Sequence, residues 1–221
     1  MKVGLWRRIT RTFKANSKKR EREGENEGRE ESGYEGGSGE ERREERMRGQ
    51  RMMRQKMRDE IVRRVRDWLV EEGIYKDRVT DENADHHFIA EVPPSSGQLI
   101  DIIFPKSRED LVAIVSGVKL SDEHHARLMS LKAEKRDEIL WKMRFDLLFL
   151  PTGFQILPSA ENPQIFQFVR ELYFDGLNKN LFIEAVNQVY RCKLFVIWTM
   201  QRLFGNNAAS VSASAHDSMF L

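Results

Sequence analysis

Two apolar runs near the middle of the chain constrain the fold more than any other feature. They are QLIDIIFP at residues 98–105 and DLVAIVSGVKL at residues 110–120, with four residues between them. Runs with so few polar interruptions are typical of strands that are covered on both faces. A parallel pair needs a crossover of a dozen or more residues, so this short connection predicts antiparallel pairing. These residues are therefore expected to form the centre of an antiparallel sheet.

Further strand and helix patterns surround this pair. The segment QIFQFVRELYF at residues 164–174 has the apolar alternation of a half-buried strand, and FQILP at residues 154–158 precedes it. Another strand is predicted in HHFIAEVP at residues 86–93, which PPSSG connects to the next strand in a hairpin. The helical patterns cover about 58–73, ending at Gly73, then about 121–131 and 134–150, and about 180–204. The alternative for the two middle helices is one element with a bend near Lys132.

The element order predicts the fold class. Helices and strands follow one another as α-β-β-β-α-β-β-α, and the strands are joined by short connections. Such a chain is expected to adopt an α+β fold, in which helices pack on a twisted antiparallel sheet of about five strands.

The first quarter of the chain differs from the rest in its charge pattern. Residues 1–20 hold eight basic side chains and no acid. Residues 21–45 hold 11 acids against 4 arginines, and residues 46–66 hold 9 basic side chains against 2 acids. Residues 21–50, whose only large apolar side chains are Tyr34 and Met47, do not offset the entropy of ordering, although helix formers from about Glu40 onward favour a charged helix. The predicted organisation is a basic amphipathic segment at 1–20, a charged disordered or helical linker at 21–57, an α+β domain at 58–204 and a disordered tail at 205–221.

The basic segment has the pattern of an amphipathic helix. At 100° per residue, one side carries Val3, Leu5, Trp6, Ile9 and Phe13, and the opposite side carries Arg7, Arg8, Arg11, Lys14 and Lys18. This pattern suits an anionic membrane surface or a groove on a partner protein, and less well the phosphates of a nucleic acid. The alternative is a leader without a role.

The compartment follows from cysteine use and hydropathy. Cys192 is the only cysteine, which excludes an internal disulfide and fits a reducing compartment. No apolar signal-peptide core follows the basic start. The longest apolar run, LFVIW at residues 194–198, is far shorter than the ~20 residues of a membrane span. A cytoplasmic protein is predicted, either free or bound at a membrane surface through its N-terminus.

The last helix is apolar on more than one face. Beside a core stripe at Leu181, Ala185, Val189, Val196, Met200 and Leu203, it places Leu194, Phe195 and Trp198 on other faces. A helix that is apolar nearly all round is buried or packs against another chain. Leu194, Phe195 and Trp198 are therefore predicted to contact a partner, either a second copy or a protein client, and the alternative is enclosure by neighbouring helices.

Two pairs of adjacent histidines raise the question of a metal or acid/base site. They are His86 with His87, and His124 with His125. Adjacent side chains point about 100° apart on a helix and to opposite faces of a strand, so a site needs one histidine from each pair to meet. Asp85, Asp101 or Glu123 would complete such a site. The favoured interpretation is structural, with Ser121 capping a helix, His124 facing the core and His125 turned elsewhere.

Other chemical signals are few. The sequence has no G-x-S-x-G, P-loop, G-x-G-x-x-G or C-x-x-C motif. Asp101 and Asp146 lie in apolar segments, where each is either a buried acid or, as favoured, a side chain that faces solvent or pairs with arginine. No catalytic residue, metal ligand or cofactor is predicted, and the chain is not expected to be an enzyme.

Several segments together carry a resemblance. They are IVRRVRDWLVEEG, LIDIIFP, LVAIVSGVKLS, EHHARLMSL, FQFVRELYFDGL and FIEAVNQVYRCKLFVIWTM. In this order they resemble an archaeal domain family of unknown function, over about residues 58–204, that has the type III secretion chaperone-like fold. The resemblance implies a domain that dimerises and binds extended segments of protein clients without a cofactor. It does not cover the first 57 residues, and nothing in the sequence points to secretion.

These observations favour a non-enzymatic, chaperone-like or adaptor domain that binds a protein client and forms a dimer. The alternative is a tether to a membrane surface or nucleic acid through residues 1–20. A third alternative is a small metal-dependent enzyme that uses the histidine pairs.

Overall fold

A computed structural model describes residues 38–205, with side chains from residue 41 onward. The chain divides into two compact units between Glu60 and Ile61. In chain order the elements are α1 Ser38–Glu71, β1 Tyr75–Val79, β2 Ala84–Glu91, β3 Leu99–Pro105, β4 Leu111–Lys119, α2 Asp122–Ser130, α3 Ala133–Leu148, β5 Gly153–Pro158, β6 Pro163–Tyr173 and α4 Lys179–Phe204. A short 3₁₀ turn, Phe174–Gly176, precedes α4.

The strands form one open antiparallel sheet in the order β1-β2-β3-β4-β6-β5. The α+β class and the antiparallel arrangement predicted from the sequence are confirmed, and the sheet has six strands rather than about five. The additional strand is β1, whose sequence YKDRV has three exposed charged residues between half-buried ends. Because β1 lies at an edge of the sheet, it lacks the apolar pattern that identifies the inner strands.

The two central strands, β3 and β4, are buried along nearly their whole length, as their apolar runs predicted. Ile102 lies opposite Ile114, and the pairing continues through β6, where Phe168 lies opposite Ser116. Since successive side chains point to opposite faces, even-numbered residues of β3, β4 and β6 share one face. That face belongs to the main apolar core.

Helices from both ends of the domain complete this core. α1 contributes Val65 and Leu69, and α4 contributes Phe182, Val189 and Val196, all at most 1% exposed. They join the core face of the sheet in one continuous apolar cluster. α4 packs along β4 and β6, which are neighbours in the sheet. α1 and α4 therefore cover the apolar face of the sheet together.

Helix ends follow local signals. Gly73, two residues after α1, has a φ of 67°, which a residue with a side chain rarely adopts. Ser121 caps α2, where its hydroxyl accepts a hydrogen bond from the backbone N of His124 at 3.2 Å. α2 and α3 are two separate helices, as the sequence patterns predicted, and not one bent element, because the ψ angles of Leu131 and Lys132, 149° and 141°, are not helical.

One lysine is buried in the domain. Lys193 on α4 is 3% exposed, and its Nζ donates a hydrogen bond to the Leu99 carbonyl oxygen at 3.1 Å. The Ser116 hydroxyl donates to the same oxygen at 3.0 Å. Burial lowers the pKa of Lys193 from 10.5 to about 8, and the charge of Asp101 opposes that shift.

Replacing Phe168 with alanine is expected to lower the free energy of unfolding by about 3–5 kcal/mol, because the fully buried ring leaves a cavity that the surrounding strands do not refill. Urea denaturation followed by circular dichroism measures this loss. Tyr173→Ala, at a half-exposed position on the same strand, serves as the control and is expected to cost at most about 1 kcal/mol. Equal losses in the two variants would contradict the assigned core.

Lys193 is expected to make stability depend on pH. Between about pH 8 and 10.5 the unfolded chain keeps the lysine proton and the folded chain releases it, so stability rises with pH across this window. Lys193→Met is expected to remove a rise of about 3 kcal/mol, which corresponds to the pKa difference at ~1.4 kcal/mol per unit.

Urea denaturation of the parent and the variant at pH 7, 8, 9 and 10 tests this expectation. The difference between the two curves isolates Lys193 from Cys192, whose raised thiol pKa affects both proteins. Lys142→Met, at a well-exposed lysine, is the control and is expected to follow the parent. Parallel curves for the parent and Lys193→Met would refute a buried lysine with a lowered pKa.

Candidate functional site

The outer face of α3 carries four large apolar side chains in contact with solvent. Trp141, Phe145, Leu148 and Phe149 are 64%, 58%, 69% and 72% exposed. Their spacing of four, three and one residues places them on one side of the helix and its C-terminal cap. We call these four residues the α3 stripe.

The opposite face of α3 holds the helix on the domain. Leu140, Met143 and Leu147 are at most 2% exposed and belong to the main core cluster. α3 is thus apolar on two faces, and within residues 38–205 only one of them is buried. Exposed apolar side chains that stand singly are ordinary, but a contiguous aromatic patch is typical of an interaction surface.

Contacts within the α3 stripe order its side chains. The rings of Phe145 and Phe149 meet edge to face, with centroids 5.0 Å apart. The guanidinium carbon of Arg144 lies 4.3 Å from the centre of the Trp141 ring, at a distance typical of a cation–π contact. Ordered aromatic side chains lose little conformational entropy when a partner covers them, which favours binding.

The residues predicted to contact a partner from the last helix differ in their surroundings. Leu194 is half-buried, and Phe195 is half-buried and packs against the core cluster. Trp198 is 62% exposed, so of the three it alone presents most of its surface to solvent. Leu181 and Leu203, expected in the core stripe of this helix, are 38% and 41% exposed near its two ends, so its exposed apolar residues are fewer and on average less exposed than the four of the α3 stripe.

The predicted membrane or anion contacts lie outside the residues that the structure describes. These are Leu5, Trp6, Arg7, Arg8, Ile9, Arg11, Phe13 and Lys14. Within residues 38–205, no helix combines the length and hydrophobicity that are needed to cross a membrane.

His87 lies between two carboxylates on the sheet face opposite the core. Its side chain is fully buried, and its Nε2 is 2.8 Å from Asp101 Oδ1. Its Nδ1 is 3.6 Å from Asp81 Oδ2, while Asp81 Oδ1 accepts a hydrogen bond from the backbone N of Asn83. Asp101 is therefore buried with a histidine partner, not the solvent or arginine that the sequence favoured. The His87–Asp101 contact links β2 to β3, and the His87–Asp81 contact links β2 to the turn that precedes it.

A cavity of 360 Å³ lies beside this group, at the turn between β1 and β2. Its charged lining consists of Arg78, Lys106, Asp81 and Asp85. Two basic and two acidic side chains give the cavity no preference for one charge of ligand. The Lys106 ammonium also donates to the Glu82 carbonyl oxygen at 2.9 Å, which engages it within the chain.

The other histidines have separate partners. His86 Nδ1 lies 3.2 Å from a guanidinium nitrogen of Arg78. His124 is buried, as predicted, with its Nε2 3.3 Å from the Gly205 carbonyl oxygen, and His125 Nε2 lies 2.7 Å from Asn162 Oδ1. Among residues 41–205, no three histidine, cysteine or acidic side chains are grouped to hold a metal ion.

The side chains of Asp146 and Cys192 each have an identified partner. Asp146 on α3 pairs with Lys142 at 3.0 Å, so its partner is basic but is not an arginine. Cys192 is buried, and its Sγ lies 2.9 Å from the Thr152 hydroxyl. Burial raises the pKa of the Cys192 thiol, which keeps it protonated and unreactive near neutral pH.

Sequence reasoning missed the α3 stripe, although its signal is visible in EILWKMRFDLLFL at residues 138–150. Apolar residues there follow two helical arcs instead of one. Periodicity alone does not say which arc faces the core.

Comparison with known proteins agrees with the fold and leaves the activity open. A family model described as an uncharacterized conserved protein (DUF2299) matches residues 61–200. No curated protein is similar to the chain. A crystal structure of an uncharacterized protein from Methanothermobacter thermautotrophicus has 36% sequence identity and a TM-score of 0.61, covering 65% of this chain and 98% of that chain. The matched region contains all six strands, α2, α3 and most of α4. The chain therefore belongs to the uncharacterized conserved family DUF2299.

Proposed function

We propose that the chain is a non-enzymatic protein-binding domain, of the chaperone-like or adaptor kind, that forms a dimer through the α3 stripe. One observation carries this proposal. Three aromatic side chains and a leucine, each more than half exposed, lie together on a helix whose other face is anchored in the core.

The composition of the α3 stripe supports a protein contact. Aromatic residues are enriched at the centres of protein interfaces, and tryptophan is among the commonest residues that dominate binding energy. Charged neighbours border the stripe, since Lys142 and Asp146 pair with each other on the same helix. An apolar centre with a charged rim is the usual arrangement of such interfaces.

The area of the α3 stripe fits a second copy of the chain. At 150–250 Å² for each large side chain, the exposed fractions leave on the order of 500 Å² to be covered. A stable interface buries about 800 Å² from each partner, so the stripe with a modest rim supplies one side. Most soluble oligomers are dimers in which the same surface is used twice, which supplies the other side.

The test is the oligomeric state of the full chain and of Phe145→Asp/Phe149→Asp, measured by light scattering and sedimentation over about 1–100 μM. The parent is expected to reach twice the 26.0 kDa chain mass. The double variant is expected to dissociate at least about 100-fold more readily, because each interface aspartate buries an unpaired charge.

Lys135→Asp is the matched control, because Lys135 is an exposed residue of the same helix outside the α3 stripe. It is expected to dimerise like the parent. Circular dichroism and thermal unfolding establish that all three proteins are folded. A parent that stays monomeric at 100 μM, or a folded double variant that still dimerises, would be evidence against the proposed interface.

A further inference from the structure

The N-terminal part of α1 forms a strongly basic helical surface. Residues 41–57 are helical, and every side chain in this range is exposed. Residues 41–57 hold seven basic side chains against Glu41, Glu44 and Glu45, a net charge of +4. This surface lies outside residues 61–200, which the family model matches.

Several of the arginines share one side of the helix. At 100° per residue, Arg43, Arg51 and Arg54 fall within an arc of about 80°, with Met47 between them. Arg46 lies beside this arc. At ~1.5 Å per residue the row is about 17 Å long. We call Arg43, Arg46, Arg51 and Arg54 the arginine row.

The charge of the arginine row is not neutralised by side chains of the described chain. None of the salt bridges among residues 41–205 engages a member of the row. The side-chain hydrogen bond from Gln55 to Asp59, at 2.8 Å, does not involve the row. Like charges three or four residues apart destabilise a helix, so an anion that binds the row relieves repulsion.

The side-chain chemistry favours phosphate. Six of the seven basic residues are arginine, whose planar fork binds phosphate oxygens in pairs. The exposed apolar side chains of this stretch are all methionine: Met47, Met52, Met53 and Met57. Helices that insert into a membrane surface present Trp, Phe or Leu instead. We propose that the arginine row binds the phosphate backbone of a nucleic acid, without reading its sequence.

The length of the row suits such a polyanion. Each strand of a duplex carries a charge about every 3.4 Å, so a 17 Å row spans several phosphates. Binding that depends on phosphates alone releases counterions, and the logarithm of the binding constant then falls with the logarithm of salt concentration by ~0.9 for each phosphate neutralised. The arginine row shares no residue with the α3 stripe, and this proposal does not rest on dimer formation.

The test measures binding of the full chain to a fluorescent 30-base-pair DNA duplex and to a duplex RNA at 50–300 mM salt. Arg43→Gln/Arg51→Gln/Arg54→Gln retains helix-forming side chains and removes three charges. The triple variant is expected to bind at least about tenfold more weakly at 100 mM salt. The salt slope is expected to fall by about 3, close to one for each phosphate contact that is lost.

Two matched variants separate this surface from general charge. Lys119→Gln/Lys135→Gln/Lys142→Gln removes three exposed charges from the domain, and Arg7→Gln/Arg8→Gln/Arg11→Gln removes three from the first segment. Both are expected to lose less affinity and less salt slope than the row variant. Equal losses in all three variants would refute a specific role for the row.

Vesicles of neutral lipid with 30% anionic lipid test whether the ligand is a membrane surface instead. The parent is expected to bind the duplexes and to sediment weakly with the vesicles. Tight vesicle binding that the row variant abolishes, without duplex binding, would replace the nucleic acid with a membrane surface. An unchanged affinity and salt slope in the row variant would overturn the proposal, and a parent that binds neither probe would do the same.

Discussion

The ladder between β4 and β6 is the constraint on which the rest of the domain depends. It runs over nine residue pairs, from Leu111 opposite Tyr173 to Lys119 opposite Ile165. These strands are far apart in sequence, so their pairing closes a long loop at an entropic cost that burial must offset. The apolar side chains of both strands provide that burial. Everything between the two strands, namely α2, α3 and β5, is positioned by this closure.

This closure explains why α3 has a free apolar face. The helix is held along one side by Leu140, Met143 and Leu147, and the chain has no other element left in this loop to cover its outer side. The arginine row differs in physical type, because it is charged and belongs to the other compact unit. Binding at the α3 stripe is favoured by the release of water from apolar groups, and binding at the arginine row by the release of counterions. The two surfaces therefore suit different partners.

Much of the fold was predictable because buried apolar residues recur with the period of a helix or a strand. The inner strands, the last helix and the cap at Ser121 follow from apolar spacing and side-chain chemistry in the sequence. β1 was not predictable, because an edge strand with exposed charged residues resembles a turn. Of the predicted contact residues, Trp198 is largely exposed and Phe195 packs on the core, a distinction that helical periodicity does not make.

The sequence by itself determined the α+β class, the antiparallel pairing and the basic character of the first quarter of the chain. These properties depend on local spacing, loop length and composition, and not on which distant segments pack together. Tertiary structure alone decided that His87 meets Asp101, that the two histidine pairs have separate partners, and which arc of α3 is exposed. Each of these depends on which distant segments pack together, and two apolar arcs on one helix are equivalent until a core covers one of them.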